Sequence, residues 1–489
     1  MDLTRRRFGQ GLMSAGTAAL AQAKRPPSIL FICSDEHNGG IRAHTPNLDR
    51  LAAQGVTFRN AYCGSPVCVP ARAGMMTGMF PSDLESYCNS TPFDGRIPTW
   101  GNRLRDQGYF CWATGKLDLV EGKDYGFEEF HTDHLHSSEP DITSLFRRPL
   151  CYRVDKRHQV KGEFKVRTRG DDKVVRETLD FIRRDLPAIK QPWVVYVGLT
   201  LPHPPFVASE KYRNLPSVQS AGLPHIPPRH LDDMHLAFRL MRNFYLTSDS
   251  IPVEDVRSAR AAYQALVAEL DDYLGQLLTA IDSTNTVIVY TSDHGEMQGE
   301  HGLWFKNVLL EDAVRVPLIL SGPGLPKGAQ VDTPVSHVDL VATLLELAGI
   351  DRPAGLRGHN LLSPGHPGFA YSESHSEGNC TGSFMIRKGD WKYIYFSWYE
   401  NLLFNLKDDP GEFHNLAGKP EFASIEKELH AILTSLVRPD EITERAFEKQ
   451  EALLKNRWAE KGPDKFYLEM ESRLGKGQAR ALALKFRNS

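Results

Sequence analysis

Ser28-Ile29-Leu30-Phe31-Ile32-Cys33 is a continuous apolar run that follows two prolines. Such a run is typical of a central strand that is buried on both faces of a sheet. The acidic residues Asp35 and Glu36 come directly after it. Because α/β sheets bind ligands beside the carboxyl ends of their strands, the stretch predicts an α/β fold with a ligand site at this end. Acidic residues are also common in polar turns, so the two carboxylates alone do not identify a site.

Three later strand-like runs, residues 109–114, 193–199 and 286–290, also end in side chains that can carry chemistry. They lead to Gly115-Lys116-Leu117-Asp118, to Pro202-His203-Pro204-Pro205-Phe206 and to Ser292-Asp293-His294-Gly295-Glu296. A lone histidine among prolines would mean little. A histidine that directly follows a buried strand is a stronger sign of a functional site.

A further stretch, Ser65-Pro66-Val67-Cys68-Val69-Pro70-Ala71-Arg72, has the pattern of a helix start. Proline is tolerated in the first turn because its missing N–H costs nothing there. Cys68 then lies at a helix N-terminus, where free N–H groups and the dipole favour an anion. Arg72 lies one turn further on the same face. The alternative interpretation is a buried structural cysteine beside a surface arginine.

In their order along the chain, these motifs resemble those of the type I sulfatases of the alkaline phosphatase superfamily. The resemblance covers roughly residues 28–420 and includes Cys-x-Pro-x-Arg at Cys68, a cysteine that this family oxidises to formylglycine with a formylglycine-generating enzyme. It implies an α/β, alkaline-phosphatase-like fold with a large mixed sheet sandwiched by helices and a smaller C-terminal antiparallel sheet. It also implies hydrolysis of the sulfate ester of a small molecule or saccharide.

The resemblance assigns a role to each motif residue. It implies metal binding by Asp35, Glu36, Cys68, Asp293 and His294, and catalysis by Cys68, Arg72, Lys116, Asp118, His203 and Lys306. Two positions depart from the family pattern. Glu36 stands where the family has aspartate or glutamine and is longer than the aspartate, and Asp118 replaces a histidine that accepts a proton when sulfate leaves. Asp118 can act as that base, or it can simply pair with Lys116.

The metal and the substrate remain open at this point. Oxygen ligands suit a hard cation and favour Ca2+, whereas His294 favours Mn2+ or Zn2+. A phosphonate monoester or phosphodiester hydrolase of the same superfamily is the alternative enzyme. Asp118 also suggests a third class, a binding protein that has lost turnover.

Composition sets broad limits. The chain has 489 residues, 41% of them hydrophobic, and a formal charge of −3, so it can bury a large core and shows no sign of nucleic acid binding.

It contains seven cysteines. An odd number in an exported protein leaves at least one outside any disulfide, and Cys68 is the candidate. A homo-oligomer is compatible with the sequence.

The N-terminus carries an export signal. Thr4-Arg5-Arg6-Arg7-Phe8 resembles the twin-arginine motif, and a weakly apolar stretch then leads to Ala21-Gln22-Ala23, a typical cleavage site. We therefore predict a signal peptide over residues 1–23 and export to the bacterial periplasm. A disordered basic tail is the alternative. No segment of the sequence is typical of a transmembrane helix.

The remaining chain divides into three predicted parts. These are a catalytic domain over residues 24–368, a small sheet subdomain over 369–436 and a charged helical extension over 437–489. We expect the extension to contact a neighbouring subunit or to be a solvated tail. Residues 207–250 are expected to be an irregular loop over the cleft. Residues 147–169 hold nine Lys or Arg against two acids, which predicts either contact with a polyanionic substrate or a solvated surface.

Overall fold

The computed structural model describes residues 26–41, 43–131, 145, 152–166 and 170–487. The predicted signal peptide, Cys151 and part of the basic segment 147–169 lie outside the described residues. Within those ranges, no helix is both long enough and apolar enough to cross a membrane.

The secondary structure alternates between strands and helices until residue 347 and then changes to a run of strands followed by helices. The strands are β1 Ser28–Asp35, β2 Gly55–Phe58, β3 Ala61–Tyr62, β4 Phe110–Gly115, β5 Glu129–His131, β6 Glu163–Lys165, β7 Trp193–Pro202, β8 Val207–Ser209, β9 Thr286–Ser292, β10 Arg315–Val316, β11 Leu318–Ser321, β12 Ala329–Val331, β13 Val335–Ser336, β14 Phe369–Ser374, β15 Ser383–Lys388, β16 Trp391–Phe396 and β17 Leu402–Asn405. The α-helices are α1 Pro46–Ala53, α2 Cys68–Thr77, α3 Trp100–Asp106, α4 Gly170–Arg184, α5 Pro216–Gln219, α6 His230–Asp233, α7 Leu236–Phe244, α8 Val253–Ala280, α9 Glu311–Val314, α10 Asp339–Leu347, α11 Ala423–Leu436, α12 Pro439–Leu474 and α13 Lys476–Arg487.

Eight strands form one mixed sheet in the order β12-β2-β11-β9-β1-β7-β4-β5. Strand β1 is parallel to both of its neighbours, β9 and β7, and β4 continues the parallel part beyond β7. Strand β11 is antiparallel to β9 and to β2. All eight residues of β1 are buried, as its continuous apolar sequence predicts.

Aromatic contacts show that helices cover both faces of this sheet. Phe31 and Tyr196 are paired in register on β1 and β7, and both rings lie against Trp100 of α3. Trp112 of β4 instead stacks on Phe181 of α4, with ring centroids 4.4 Å apart. Ala113 of β4 is paired with Tyr196 and directly follows Trp112. Consecutive residues of a strand point to opposite faces, so Trp112 lies on the face of the sheet opposite to Tyr196. The sheet is therefore sandwiched between helices, as predicted.

Strands β14, β15, β16 and β17 form the small C-terminal sheet, and each pair of neighbours is antiparallel. Helix α11 packs on its middle strands through the buried residues Leu429 and Leu433. The short alternating runs of the sequence predicted this meander.

A buried charge cluster joins the C-terminal sheet to the catalytic part, and we call it the junction cluster. Lys392 of β16 pairs with Glu311 at 3.0 Å and with Glu412 at 2.7 Å. Tyr62 donates its hydroxyl to Glu311 at 3.1 Å and accepts a hydrogen bond from Arg387 at 3.0 Å. The cluster links strands β3, β15 and β16 with the start of α9.

Residues 207–250 are not the irregular loop that the sequence suggested. They contain β8 and the short helices α5, α6 and α7. Helix α7 buries Ala237, Phe238, Met241 and Phe244, which lie along one helical stripe. The many prolines and histidines before this stripe hid it in the sequence.

The helical extension packs on its own chain. Phe466, Met470 and Leu474 of α12 are buried in the main core. Lys449 forms an ion pair with Glu85 at 2.7 Å, and Gln450 donates a hydrogen bond to the backbone carbonyl of residue 375 at 2.8 Å. These helices are therefore not a wholly solvated tail, and the expected contact with a neighbouring subunit stays a prediction.

Candidate active site

Four strands bring the predicted site residues to one edge of the sheet. Strands β9, β1, β7 and β4 are adjacent and parallel, so their carboxyl ends lie side by side. Asp35 ends β1, Asp293 follows β9, His203 follows β7 and Lys116 follows β4. Helix α2 starts at the same edge with Cys68 as its first residue. The apolar runs of the sequence thus determine where the reactive side chains meet.

Cys68 lies at the centre of this group. Its Sγ is 3.2 Å from Nε2 of His294, 3.2 Å from Nζ of Lys306 and 3.8 Å from Oδ1 of Asp35. The residue is only 4% exposed. Burial, together with the charge of Asp35, raises the pKa of the thiol to about 12. An unmodified thiol here is therefore protonated at neutral pH and is a poor nucleophile.

Two overlapping groups of side chains could hold a metal ion. Ligand atoms of Asp35, Cys68, Asp293 and His294 all lie within 4.8 Å of one another, and so do those of Asp35, Glu36 and His203. The donor set is rich in carboxylate oxygens, which suits a divalent cation. The sequence-predicted metal ligands therefore come together in space.

The orientation of His294 fits a metal ligand. Its Nδ1 is 3.0 Å from the carbonyl oxygen of Gly295, which can only accept a hydrogen bond, so Nδ1 carries the proton. The Nε2 lone pair then faces Asp35 and Asp293, each 3.6 Å away. Burial lowers the pKa of His294 and favours the neutral ring. A neutral imidazole held in one tautomer is the form that binds metals.

Asp35 and Glu36 are ionised despite complete burial. Burial by itself raises the pKa of Asp35, but Lys116 and then His203 and Lys306 hold that pKa well below its ordinary value. The same opposition, with Lys306 as the main cation, lowers the pKa of Glu36 to about 2. Glu36 also has a positive φ of 69°, a conformation that is uncommon for non-glycine residues.

Arg72 is fully buried behind the ligand group and does not face its open side. Its Nε donates to Asp293 at 2.9 Å, and its Nη1 donates to the carbonyl of Lys116 at 2.7 Å and to the Tyr196 hydroxyl at 3.0 Å. These bonds orient a metal-ligand candidate and a lysine of the site. The contacts thus give Arg72 a positioning role.

Lys116 reaches the centre because two glycines let β4 and β7 approach closely. A Cβ added to Gly198 would lie 2.0 Å from the Lys116 carbonyl oxygen. The Lys116 ammonium forms an ion pair with Asp35 and lies 3.2 Å from Oδ2 of Asp118. Asp118 has a positive φ of 57° and also lies 3.6 Å from Arg72. The pairing of Asp118 with Lys116, one of the two roles considered for it, is therefore present.

His203 is the most exposed of these side chains, at 32%, and so faces the opening of the site. Its Nε2 is 3.3 Å from Oε2 of Glu36, and its Nδ1 is 2.6 Å from the carbonyl of Pro204. Burial of the ring, reinforced by Lys306, lowers the pKa of His203 to about 4.

The loop that carries Lys306 is held in place by Glu296, a residue to which the sequence analysis gave no role. Glu296 is fully buried, and its Oε1 accepts hydrogen bonds from the backbone N–H groups of Gln298 at 3.0 Å and Phe305 at 2.8 Å. Asn307 donates its N–H to the carbonyl of Pro66 at 3.2 Å, which ties the loop to the Cys68 stretch. Lys306 Nζ is thereby held 3.0 Å from Glu36. Only the place of Glu296 two residues after His294 signalled its importance.

Every site residue predicted from the sequence lies in this one constellation. The group combines a side chain at a helix N-terminus, a cradle of carboxylates with one histidine, and two lysines of which each is 12% exposed. Such an arrangement can hold a cation and an anionic substrate next to the Cys68 position.

Comparisons with known proteins agree with this geometry. The family model described as Sulfatase matches residues 27–350, and the model described as N-sulphoglucosamine sulphohydrolase, C-terminal, matches residues 299–438. A choline-sulfatase of Rhizobium meliloti (strain 1021) is 34% identical, over 81% of this chain and 83% of its own length.

Solved structures share the fold. The phosphonate monoester hydrolase of Agrobacterium radiobacter superposes with a TM-score of 0.68 at 25% identity, over 84% of this chain and 95% of its own. BT4656, solved with its substrate D-glucosamine-2-N,6-O-disulfate, gives a TM-score of 0.67 at 22% identity, over 87% and 99%. The predicted alkaline-phosphatase-like fold is thus confirmed. The chain belongs to the sulfatase family and is an enzyme that hydrolyses sulfate esters.

Proposed function

We propose that this sulfatase acts through a formylglycine formed from Cys68 and a divalent cation held by Asp35, Glu36, Asp293 and His294. One observation carries the proposal. Cys68 Sγ lies at a helix N-terminus, 3.2 Å from both Lys306 and His294 and among the side chains that could hold a cation. Burial raises the pKa of the unmodified thiol and makes it a weak nucleophile, which supports a chemically modified side chain at this position.

Formylglycine would supply an aldehyde whose hydrate offers a hydroxyl nucleophile. The cation, when bound, would neutralise charge and polarise oxygen atoms near Cys68. The carboxylate-rich donor set supports Ca2+, with Mn2+ or Zn2+ as alternatives because of His294. Lys116 and Lys306 bind the sulfate oxygens, and their charges are already fixed in place before negative charge develops.

Proton transfer falls to the two remaining side chains. His203 faces the opening, where the alcohol part of the substrate lies. The negative charge of a bound sulfate ester would favour uptake of a proton at Nε2, and His203 then donates this proton to the leaving oxygen. The contact of Nδ1 with the Pro204 carbonyl keeps the ring oriented for this transfer. Asp118, paired with Lys116, accepts the proton that is lost when sulfate is released.

The test combines mass spectrometry with a substrate screen. We expect the Cys68 peptide of enzyme matured with a formylglycine-generating enzyme to have the mass of an aldehyde in place of the thiol. Removal of metal with a chelator should abolish turnover, and Ca2+, Mn2+ and Zn2+ are then added back separately. Full activity with an unmodified Cys68 thiol would contradict the proposal.

The alcohol part of the substrate is tested in the same screen. The similar choline-sulfatase suggests choline sulfate, whereas BT4656 suggests a sulfated saccharide. The structural similarity to a phosphonate monoester hydrolase favours one alternative, hydrolysis of phosphonate monoesters or phosphodiesters. Rates on aryl sulfate, choline sulfate, saccharide sulfates and an aryl phosphodiester separate these substrates. A faster rate on the phosphodiester would favour the alternative.

The proposed cellular location rests on residues 4–23, which lie outside the described part of the chain. Replacement of Arg5 and Arg6 by lysine should retain the enzyme in the bacterial cytoplasm if the twin-arginine signal directs its export. Cell fractionation measures this outcome, and unchanged periplasmic activity would contradict it.

A further inference from the structure

Lys156 comes from the basic segment 147–169 and lies beside the loop that carries Lys306. It precedes the short 3-10 helix Arg157–Gln159 and is partly buried. Its ammonium lies over the ring of Phe305, 5.1 Å from the ring centroid. Phe305 directly precedes Lys306, so Lys156 stands beside the catalytic loop and away from the bulk surface.

The acidic residues near Lys156 are paired with another cation. Arg153 holds Asp155 through two bonds of 2.8 and 2.9 Å and holds Glu377 at 2.5 Å. No Asp or Glu oxygen in the described ranges lies within 4.0 Å of the Lys156 ammonium. The charges that act on Lys156 also include Lys306 and Glu36 of the active site.

Within the described residues, Lys156 therefore has no ion-pair partner. Burial lowers the pKa of Lys156; Glu377 is the strongest charge that opposes this shift, Arg153 and Lys306 add to it, and Glu36 opposes it more weakly. A partly buried ammonium without a paired carboxylate costs free energy unless an anion binds to it. Charge-assisted hydrogen bonds to such an anion are among the stronger polar contacts.

We infer that Lys156 binds a second anionic group of the substrate, a carboxylate or a second sulfate carried by the same sugar as the sulfate ester. This inference rests on the proposed function, because Lys306 must bind the sulfate that is cleaved. Lys156 lies against Phe305, the residue before Lys306, which favours a second anion close to the sulfate ester on the same sugar. The same charge disfavours a substrate whose alcohol carries a quaternary ammonium group.

The experiment compares four substrates on four enzymes. The substrates are 4-nitrophenyl sulfate, a 2-O-sulfated methyl uronide with a carboxylate, a disulfated glucosamine with a second sulfate, and choline sulfate. The enzymes are wild type, Lys156→Met, Lys156→Arg and the control Lys161→Met, which removes an exposed charge of the same segment.

We expect Lys156→Met to lower kcat/KM on the anionic sugars by about 10- to 100-fold, mainly through KM. The rate on 4-nitrophenyl sulfate should change by less than about threefold, and choline sulfate should be cleaved no worse than by wild type. Lys156→Arg should retain most of the activity on the sugars, and Lys161→Met should behave as wild type. A loss limited to the carboxylate or to the disulfated sugar assigns the chemical source of the anion.

Two outcomes would overturn the inference: equal losses on all four substrates, or no loss on either anionic sugar. Calorimetric binding of the same sugars to Cys68→Ala with and without Lys156→Met provides a readout that needs no turnover. Weaker sugar binding in the double variant than in Cys68→Ala supports the role of Lys156, whatever the turnover. Failure of the matured enzyme to cleave 4-nitrophenyl sulfate would count against the proposed function alone. Unchanged melting temperatures verify that the variants fold.

Discussion

The active site and the junction cluster both bury lysines among carboxylates, but their charged groups face different surroundings. At the junction, Lys392 is 0% exposed and its ammonium is enclosed by Glu311 and Glu412. In the active site, Lys116 and Lys306 are each 12% exposed, and His203 beside them is 32% exposed. Positive φ angles do not separate the two regions, because they occur at Glu36 and Asp118 of the active site and at Glu412 of the junction. Both regions therefore bury charged groups. Only in the active site do several of these groups remain partly exposed at one opening, where a ligand can reach them.

The largest expected effect separates chemistry from stability. Cys68→Ala should lower turnover of sulfate esters by at least about 10³-fold, because it removes the proposed nucleophile. The melting temperature should change little, since Cys68 belongs to the strained active site and not to a closed cluster. Residual activity near that of wild type would show that another group attacks sulfur.

The two buried lysines should respond in opposite ways to the same substitution. Lys392→Met leaves Glu311 and Glu412 buried without their cation, and we expect a loss of about 3–5 kcal/mol in the free energy of unfolding, with kcat preserved in the folded fraction. Lys306→Met should instead lower kcat/KM by about 10²-fold or more and destabilise the fold less. Urea unfolding and steady-state kinetics measure both quantities. Similar stability losses in the two variants would remove the distinction between the regions.

A third prediction concerns the replacement of the family histidine. Asp118→Asn should slow sulfate release, so that sulfate accumulates covalently on the Cys68 peptide and becomes visible by mass spectrometry after rapid quenching. The asparagine keeps the shape of the side chain and can still accept a hydrogen bond from Lys116. Unchanged kinetics would indicate that Asp118 only pairs with Lys116.

The smallest expected effect is a pH dependence at the junction. Burial, opposed by Lys392 and aided by Glu311, raises the pKa of Glu412 from 4.5 to about 7. Between these values the folded state keeps a proton that the unfolded chain has lost, so the contribution of Glu412 to stability falls as pH rises. Between pH 5 and 8, the free energy of unfolding of wild type relative to Glu412→Gln should fall by about 2 kcal/mol. Parallel unfolding curves for the two proteins would contradict this assignment.

The sequence predicted the active site better than the junction because the two depend on different information. Apolar runs identified β1, β7 and β9, and Asp35, His203 and Asp293 lie at or directly after the ends of those strands. The junction cluster instead joins residues from distant elements, such as Glu311 and Glu412, and no local periodicity indicates their contact.

The direction of individual side chains was also beyond the sequence. Helical spacing placed Arg72 near Cys68 but could not show that its guanidinium points into the protein toward Tyr196. Composition predicted that residues 147–169 contact a polyanionic substrate or form a solvated surface, but it could not say which of their side chains reach the site. Tertiary packing then gives Arg153 a structural role and places Lys156 against Phe305, the residue before Lys306.

The burial of Cys68 constrains the order of events in the life of the enzyme. At 4% exposure, and surrounded by Asp35, His294 and Lys306, the side chain offers no surface on which a second protein could act. Under the proposed chemistry, the maturation enzyme must therefore modify Cys68 while the segment around α2 is still unfolded. Folding then buries the Cys68 side chain, so under this chemistry a chain that folds before Cys68 is modified stays inactive.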